Sequence, residues 1–279
     1  MKKIFIAVLA AGVAFCSCNK ELQGEVNAVP EGAIVLSIDG SAIDMDVESK
    51  AESLPASLYL SRTTGTWKSE TSKNASASFN VSSGKINTGW YQTATATAYN
   101  YYVANQNITF AADGSTISAP ADTDVIAGCT QGATNSTTPS VTLEHVFAKI
   151  GTLTCNTQSG YTISNISWKI KSTSGGTGGT AGTYNIATKS WSGVTALSEK
   201  AISSNETKYY TSGSYTVSVT YTLTNGDYSS TFTKSGSVTL VGGKINSITC
   251  TAIGGNASQI VLSVSLAEWG SQSHTMTLS

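Results

Sequence analysis

Residues 215–240 read YTVSVTYTLTNGDYSSTFTKSGSVTL. Tyr215, Val217, Val219, Tyr221 and Leu223 alternate with Thr216, Ser218, Thr220 and Thr222, which gives the segment one apolar and one hydroxylated face. A period of two is the signature of a half-buried strand. Asn225-Gly226-Asp227 ends the run, and Asn-Gly tolerates the positive φ that a tight hairpin requires. Alternation resumes from Thr231 to Leu240, so the stretch predicts two strands joined by a short turn.

The same theme recurs on both sides of this hairpin. Thr93 to Tyr99 (TATATAY) leads into Tyr101-Tyr102-Val103 as a strand with one wet face, and Phe147–Cys155, Tyr161–Ile170, Ile245–Ile253 and Ile260–Leu266 repeat it. Ala112-Asp113-Gly114, Gly242-Gly243 and Gly254-Gly255 mark turns. No segment sustains a 3.6-residue apolar period over helical length, so the fold class is all-β, built as sandwiches and not as an α/β sheet. Residues 120–140 are loop-like and a second strand series begins near Phe147, which sets an N-terminal sandwich at 51–146 and a C-terminal one at 147–279. The glycine-rich run Ser174–Gly182 lacks the strand-to-helix setting of a phosphate cradle and reads as a flexible hairpin tip.

Composition narrows the function classes. Only 12% of the 279 residues are charged, the net charge is −1, and about 80 are Ser or Thr. Disorder requires low hydrophobicity with high net charge, and this chain has neither. It also lacks the basic excess that would neutralise phosphates, which argues against a nucleic-acid partner.

The N-terminus points to export. Lys2 and Lys3 precede the uncharged apolar run Ile4–Phe15, which is shorter than the about 20 residues that a membrane span needs. Residues 1–17 therefore read as a secretory signal. The run ends in Phe15-Cys16-Ser17-Cys18, which resembles a bacterial lipobox: Cys18 has small Ser17 before it, whereas Cys16 has bulky Phe15. Lipidated Cys18 would attach the chain to a membrane. Residues 18–50 form an acidic leader with one strand-like run, Ala33–Ile38 (AIVLSI).

Chemistry is sparse. His145 and His274 lie far apart without metal-ligand spacing, and His145 reads as a hydrogen-bonded core or domain-interface residue. No nucleophile elbow or P-loop occurs, and no spacing selects a hydrolytic carboxylate pair, so neither a catalytic nor a metal site nor a cofactor is expected. Cys155 and Cys250 sit on strand-like segments and could form a disulfide outside the cytoplasm, or be small buried apolar residues. Trp67, Trp90, Trp168, Trp191 and Trp269 could form a sugar-stacking platform or face the sandwich cores.

In chain order, four segments resemble the fimbrillin-like family of Bacteroidales lipoproteins, which supplies protease-processed pilus subunits. Ser49-Lys50-Ala51 followed by Leu54-Pro55 and Leu58-Tyr59-Leu60 is similar to the family's basic-Ala cleavage region and the strand after it. Asn107–Phe110 and Thr123-Asp124-Val125-Ile126-Ala127 match an Asp-aliphatic-Ala element. Leu143-Glu144-His145 running into Ala148-Lys149-Ile150 matches a Leu-x-His strand, and Gly242–Ile248 with Trp269-Gly270 completes the set. The resemblance implies two transthyretin-like or Ig-like β-sandwich domains, an outer-membrane route to the cell surface, and a structural role as stalk, tip or anchor that contributes to adhesion. It implies cleavage at Lys50–Ala51, with Arg62 as second choice, and loss of the first strand with the leader. The partners would be other subunits in a head-to-tail polymer, whose strands fill the vacated groove. The tail His274–Ser279, with Met276 and Leu278 pointing inward, is the candidate donor strand. Lysine in place of the usual arginine also leaves Lys50 open to being a plain solvated residue. The alternative is a stand-alone surface lipoprotein that binds a glycan or a host protein.

Cys18→Ala is expected to abolish acyl-probe labelling and membrane retention, while Cys16→Ala leaves both intact. Labelling that disappears with Cys16 instead would reverse the assignment.

Overall fold

The computed structural model describes residues 33–43, 54–55, 57–63, 77–91, 98–105, 107–176, 178–253 and 259–269. Every regular element among them is a strand. In chain order these are β1 (Ala33–Ala42), β2 (Ser57–Thr63), β3 (Ala77–Asn80), β4 (Lys85–Tyr91), β5 (Asn100–Asn105), β6 (Thr116–Ala119), β7 (Ile126–Cys129), β8 (Ser140–His145) and β9 (Ala148–Asn156). There follow β10 (Thr162–Ser172), β11 (Gly182–Asn185), β12 (Ser190–Ser192), β13 (Lys200–Ile202), β14 (Tyr209–Tyr210), β15 (Gly213–Asn225), β16 (Tyr228–Leu240), β17 (Lys244–Ile253) and β18 (Gln259–Glu268).

The N-terminal sandwich is one seven-stranded sheet ordered β3-β2-β5-β7-β8-β1-β4. Its two end strands, β3 and β4, are consecutive in sequence and joined by a turn closed by the Ser82–Lys85 bridge, with Gly84 at φ 69°. Joining the ends folds the sheet over on itself. The inward faces then share one core, which holds Ile34 and Leu36 of β1, Leu58 and Leu60 of β2, Ile86 of β4, Tyr101 and Val103 of β5, and Val141 and Leu143 of β8.

β5 departs from the expected single wet face. Tyr101 and Val103 enter that core, while Tyr102 and Ala104 on the opposite face enter a second one with Phe110, Ile117, Phe147 and Tyr184. The cover over this outer face is a three-stranded sheet, β12-β11-β6. β6 and β11 pair from Gly182↔Ala119 to Asn185↔Thr116, so segments from before and after Phe147 share one sheet and one core.

The C-terminal sandwich packs β13-β10-β15-β16 against β14-β9-β17-β18, with Val217, Val219, Tyr221, Ile248 and Cys250 between them. The β15–β16 hairpin is as its alternation predicts: Asn225 pairs Tyr228 and Gly226 takes φ 56°. On its outer face Ser218 pairs Ser235 at 2.7 Å and Thr220 pairs Thr233 at 2.8 Å. Such cross-strand hydroxyl pairs support a sheet that carries little charge.

The glycine-rich run corrects the expectation of a flexible tip. Ser174 to Gly176 turn in solvent, but Gly178 and Gly179 are buried. The Gly179 N–H donates to the Tyr215 hydroxyl at 2.8 Å, and a Cβ at Gly179 would meet the Thr195 carbonyl oxygen at 2.2 Å. Glycine is needed there for close approach and not for freedom.

Burial pushes the Tyr101 and Tyr215 phenols up to about 12. An unfolded tyrosine titrates near pH 10, so the folded state favours the protonated form. That contribution is whole below about pH 10 and is lost as pH rises through about 12. Urea midpoints are expected to fall over that interval, in step with phenolate absorbance. A stability unchanged to pH 12 would contradict the burial of these rings.

Candidate functional site

The segment of greatest interest is β1, because it precedes the candidate cleavage point and lies inside the sheet. Its alternation turns Ile34, Leu36 and Ile38 inward and Val35, Ser37 and Asp39 outward. Ile34 and Leu36 are 0% exposed and Ile38 is 7% exposed. One edge pairs antiparallel with β4 through Val35↔Asn87, Leu36↔Ile86 and Ser37↔Lys85. The other pairs parallel with β8 through Ser37↔Ser140, Ile38↔Val141 and Asp39↔Thr142. The Val35 and Ser37 N–H groups also donate to the carbonyls of Thr137 at 2.8 Å and Pro139 at 2.9 Å, and the buried Thr88 hydroxyl donates to the Ile34 carbonyl at 2.8 Å.

Magnitudes show how much rests on this strand. Burying an aliphatic side chain contributes about 1.5–3 kcal/mol, so Ile34, Leu36 and Ile38 together contribute roughly 5–9 kcal/mol. The net stability of a domain is about 5–15 kcal/mol. An empty β1 slot therefore costs an amount comparable to the stability of the whole sandwich. At the strand's end, Gly40 has no Cβ, and one there would come within 2.5 Å of Leu54 Cδ2. Leu54 lies just beyond the candidate cut, so segments on both sides of residues 50–51 pack together. Asp39 turns outward, and the Ser41 N–H holds its carboxyl below the usual carboxylate range.

Arg62, the second-choice processing residue, is 2% exposed in β2, with its guanidinium 4.2 Å from the Tyr99 ring and 4.9 Å from that of Trp90. Burial within a paired strand keeps it from a protease while the domain is folded. Cys18, Lys50, Ala51, His274, Met276 and Leu278 lie outside the described residues.

Residues from three of the quoted motifs converge at the junction of the two halves. His145 Nδ1 and Asp124 Oδ1 are 2.8 Å apart, the His145 ring stacks on Trp269 at 3.8 Å, and Lys149 Nζ lies 5.8 Å from the Trp269 ring. His145 is buried, in keeping with a hydrogen-bonded interface histidine. The sequence offered Asp124, His145 and Trp269 in separate motifs, and nothing in it indicated that they meet.

The other described tryptophans serve the cores. Trp168 is buried in the C-terminal core, Trp191 packs between Phe147 and Tyr184, and Trp90 packs edge-on to Phe79. Trp67 lies outside the described residues. A cleft of about 530 Å³ opens beside β8, lined in part by Tyr102, Thr142, Glu144, Tyr184 and Lys189. Its charges cancel, because Lys189 pairs with Glu144 at 2.6 Å. Among the described residues no group of three or more His, Cys, Asp or Glu is placed to hold a metal ion.

No family model matches the sequence. No curated protein matches it either. Among the solved structures similar to the chain, three are each named a "putative cell adhesion protein". The one from Bacteroides eggerthii is 17% identical, covers 87% of this chain and 98% of its own, and has a TM-score of 0.44. The one from Bacteroides thetaiotaomicron is 11% identical over 78% and 92% of the two chains, with a TM-score of 0.39. The one from Parabacteroides distasonis is 9% identical over 85% and 99%, with a TM-score of 0.44.

Leu36→Ala leaves a cavity in the β1 slot and is expected to cost about 2–5 kcal/mol in chemical denaturation. A change below about 0.5 kcal/mol, the level of an ordinary surface substitution, would mean that β1 does not complete this core.

Proposed function

We propose that the chain is a structural subunit of a bacterial surface pilus or fimbria, anchored at first through lipidated Cys18 and assembled by strand exchange. The observation that carries this reading is the position of β1. It precedes the candidate cut at Lys50, is hydrogen-bonded on both edges, and fills the N-terminal core with Ile34, Leu36 and Ile38. Cleavage would remove its covalent tie to the domain. Departure of the strand would leave the facing edges of β4 and β8 unpaired over an apolar groove. Buried backbone groups without partners and exposed aliphatic pockets both favour the entry of another strand.

The donor in this proposal is the tail of a second copy. His274-Thr-Met-Thr-Leu-Ser279 alternates, so Met276 and Leu278 would replace inward aliphatics while Thr275 and Thr277 face water. Donor and acceptor lie on different parts of the chain, so the contact is head-to-tail and propagates into a filament. Adhesion would follow from display of that filament at the outer membrane.

Deleting residues 274–279 is expected to leave a folded, secreted monomer that cannot extend a filament. Lys50→Ala is expected to stall the chain as a full-length lipoprotein. Filaments that still form when both changes are present would refute strand exchange and favour a stand-alone surface binding protein.

A further inference from the structure

We infer that Cys155 and Cys250 are a disulfide site, joined into a cross-strand bond between β9 and β17 when the folded chain meets a donor disulfide. Both cysteines are free thiols in this structure. The register brings them together through a bulge. Ile245↔Lys149 and Asn246↔Ile150 share one offset, and from Ile248↔Leu153 onward the offset is one residue smaller. Under the first offset Cys250 would lie opposite Thr154, whose neighbours along β9 point to the other face. The bulge instead sets Cys250 directly opposite Cys155. It is held by Gly151, where a Cβ would meet Ser247 Oγ at 2.5 Å, and by the Thr152 N–H, which donates to the same oxygen at 3.1 Å. Neighbouring strands lie about 4.8 Å apart, within the Cα separation of about 4.4–6.8 Å that a disulfide spans.

The two thiols have different surroundings, and this assigns their roles. Cys250 is fully buried, whereas Cys155 is partly exposed. A hydrogen bond from Cys250 lowers the Cys155 thiol, and the same bond together with burial raises that of Cys250. Cys155 therefore ionises first, at the site that a donor can reach. Its thiolate attacks one sulfur of the donor disulfide, the donor S–S bond breaks, and the first donor thiol leaves. The Cys250 sulfur then attacks Cys155 and expels the second donor thiol. Two electrons and two protons pass from the cysteine pair to the donor. Cys129 has no part in this, because it lies in another core with its sulfur 3.9 Å from the Ile186 carbonyl oxygen. In cells the donor would be an exported dithiol oxidase, since such bonds persist in oxidising compartments.

The test uses the purified, reduced full chain exposed to oxidised glutathione, then alkylated and mapped by mass spectrometry. Most of the Cys250 peptide is expected to appear linked to the Cys155 peptide and to be released by reductant. The inference is overturned if both cysteines are alkylated, or if Cys155 remains a mixed disulfide with glutathione. The same map on chain alkylated inside intact cells addresses export separately. A bond that forms in the purified protein but not in cells contradicts an oxidising location and leaves the site assignment standing.

Discussion

A strand hydrogen-bonded along both edges and buried along its inner face can leave only if something equivalent takes its place, and β1 is such a strand. Its parallel pairing with β8 and antiparallel pairing with β4 close the folded-over N-terminal sheet between the β7–β8 hairpin and the β3–β4 turn. Without it the order β3-β2-β5-β7-β8 would end in an open edge, and Ile86, Val141 and Leu143 would face an empty groove. A long unprotected edge is a template for another chain. The same feature that makes β1 necessary to a single molecule is what would make its slot a site of assembly under the proposed function.

The junction explains how the remainder of the protein could withstand that loss. β6 and β11 join the two halves in one sheet, and Phe147, Tyr184 and Ile117 pack beneath it. Lys208 reaches Asp122 at 2.9 Å and Lys189 reaches Glu144, so charged residues of the second half close on the first. These exposed pairs contribute little each, about 0–1 kcal/mol. His145, itself buried, meets the half-buried Asp124 on one side and stacks on Trp269 on the other, and that stack ties the end of β18 to β8. The side chains that make these contacts all lie outside β1, although Glu144 sits opposite Ala42 on β8, so strand removal strikes the N-terminal core first.

Legibility in the sequence follows the strength of alternation. β15, β16, β17 and β18 are long enough for a period to show, most clearly in β15, where Tyr215 to Leu223 turn inward at every second residue and Ser or Thr face outward. β12, β13 and β14 span three residues or fewer, too few for any period to show. β1 was legible as Ala33–Ile38 but extends to Ala42, because Asp39 and Ser41 face solvent and carry no apolar signal. The both-sided burial of β5 depends on β6 and β11, which lie outside its own sequence window. Gly178 and Gly179 misled for a similar reason: a glycine that gives freedom and one that admits a close neighbour look alike until Tyr215 and Thr195 are placed beside it. The bulge that aligns Cys155 with Cys250 has no local signature either, although their strands were both foreseen.

The most direct measurement is the folding of a chain that begins at Ala51, with and without a synthetic peptide of residues 33–42. The account predicts that this chain alone lacks a cooperatively folded N-terminal sandwich. Added AIVLSIDGSA should bind it and restore hydrogen-exchange protection to β4 and β8. Equal protection and equal denaturation midpoints with and without the peptide would contradict the claim that β1 occupies an exchangeable, structurally required slot.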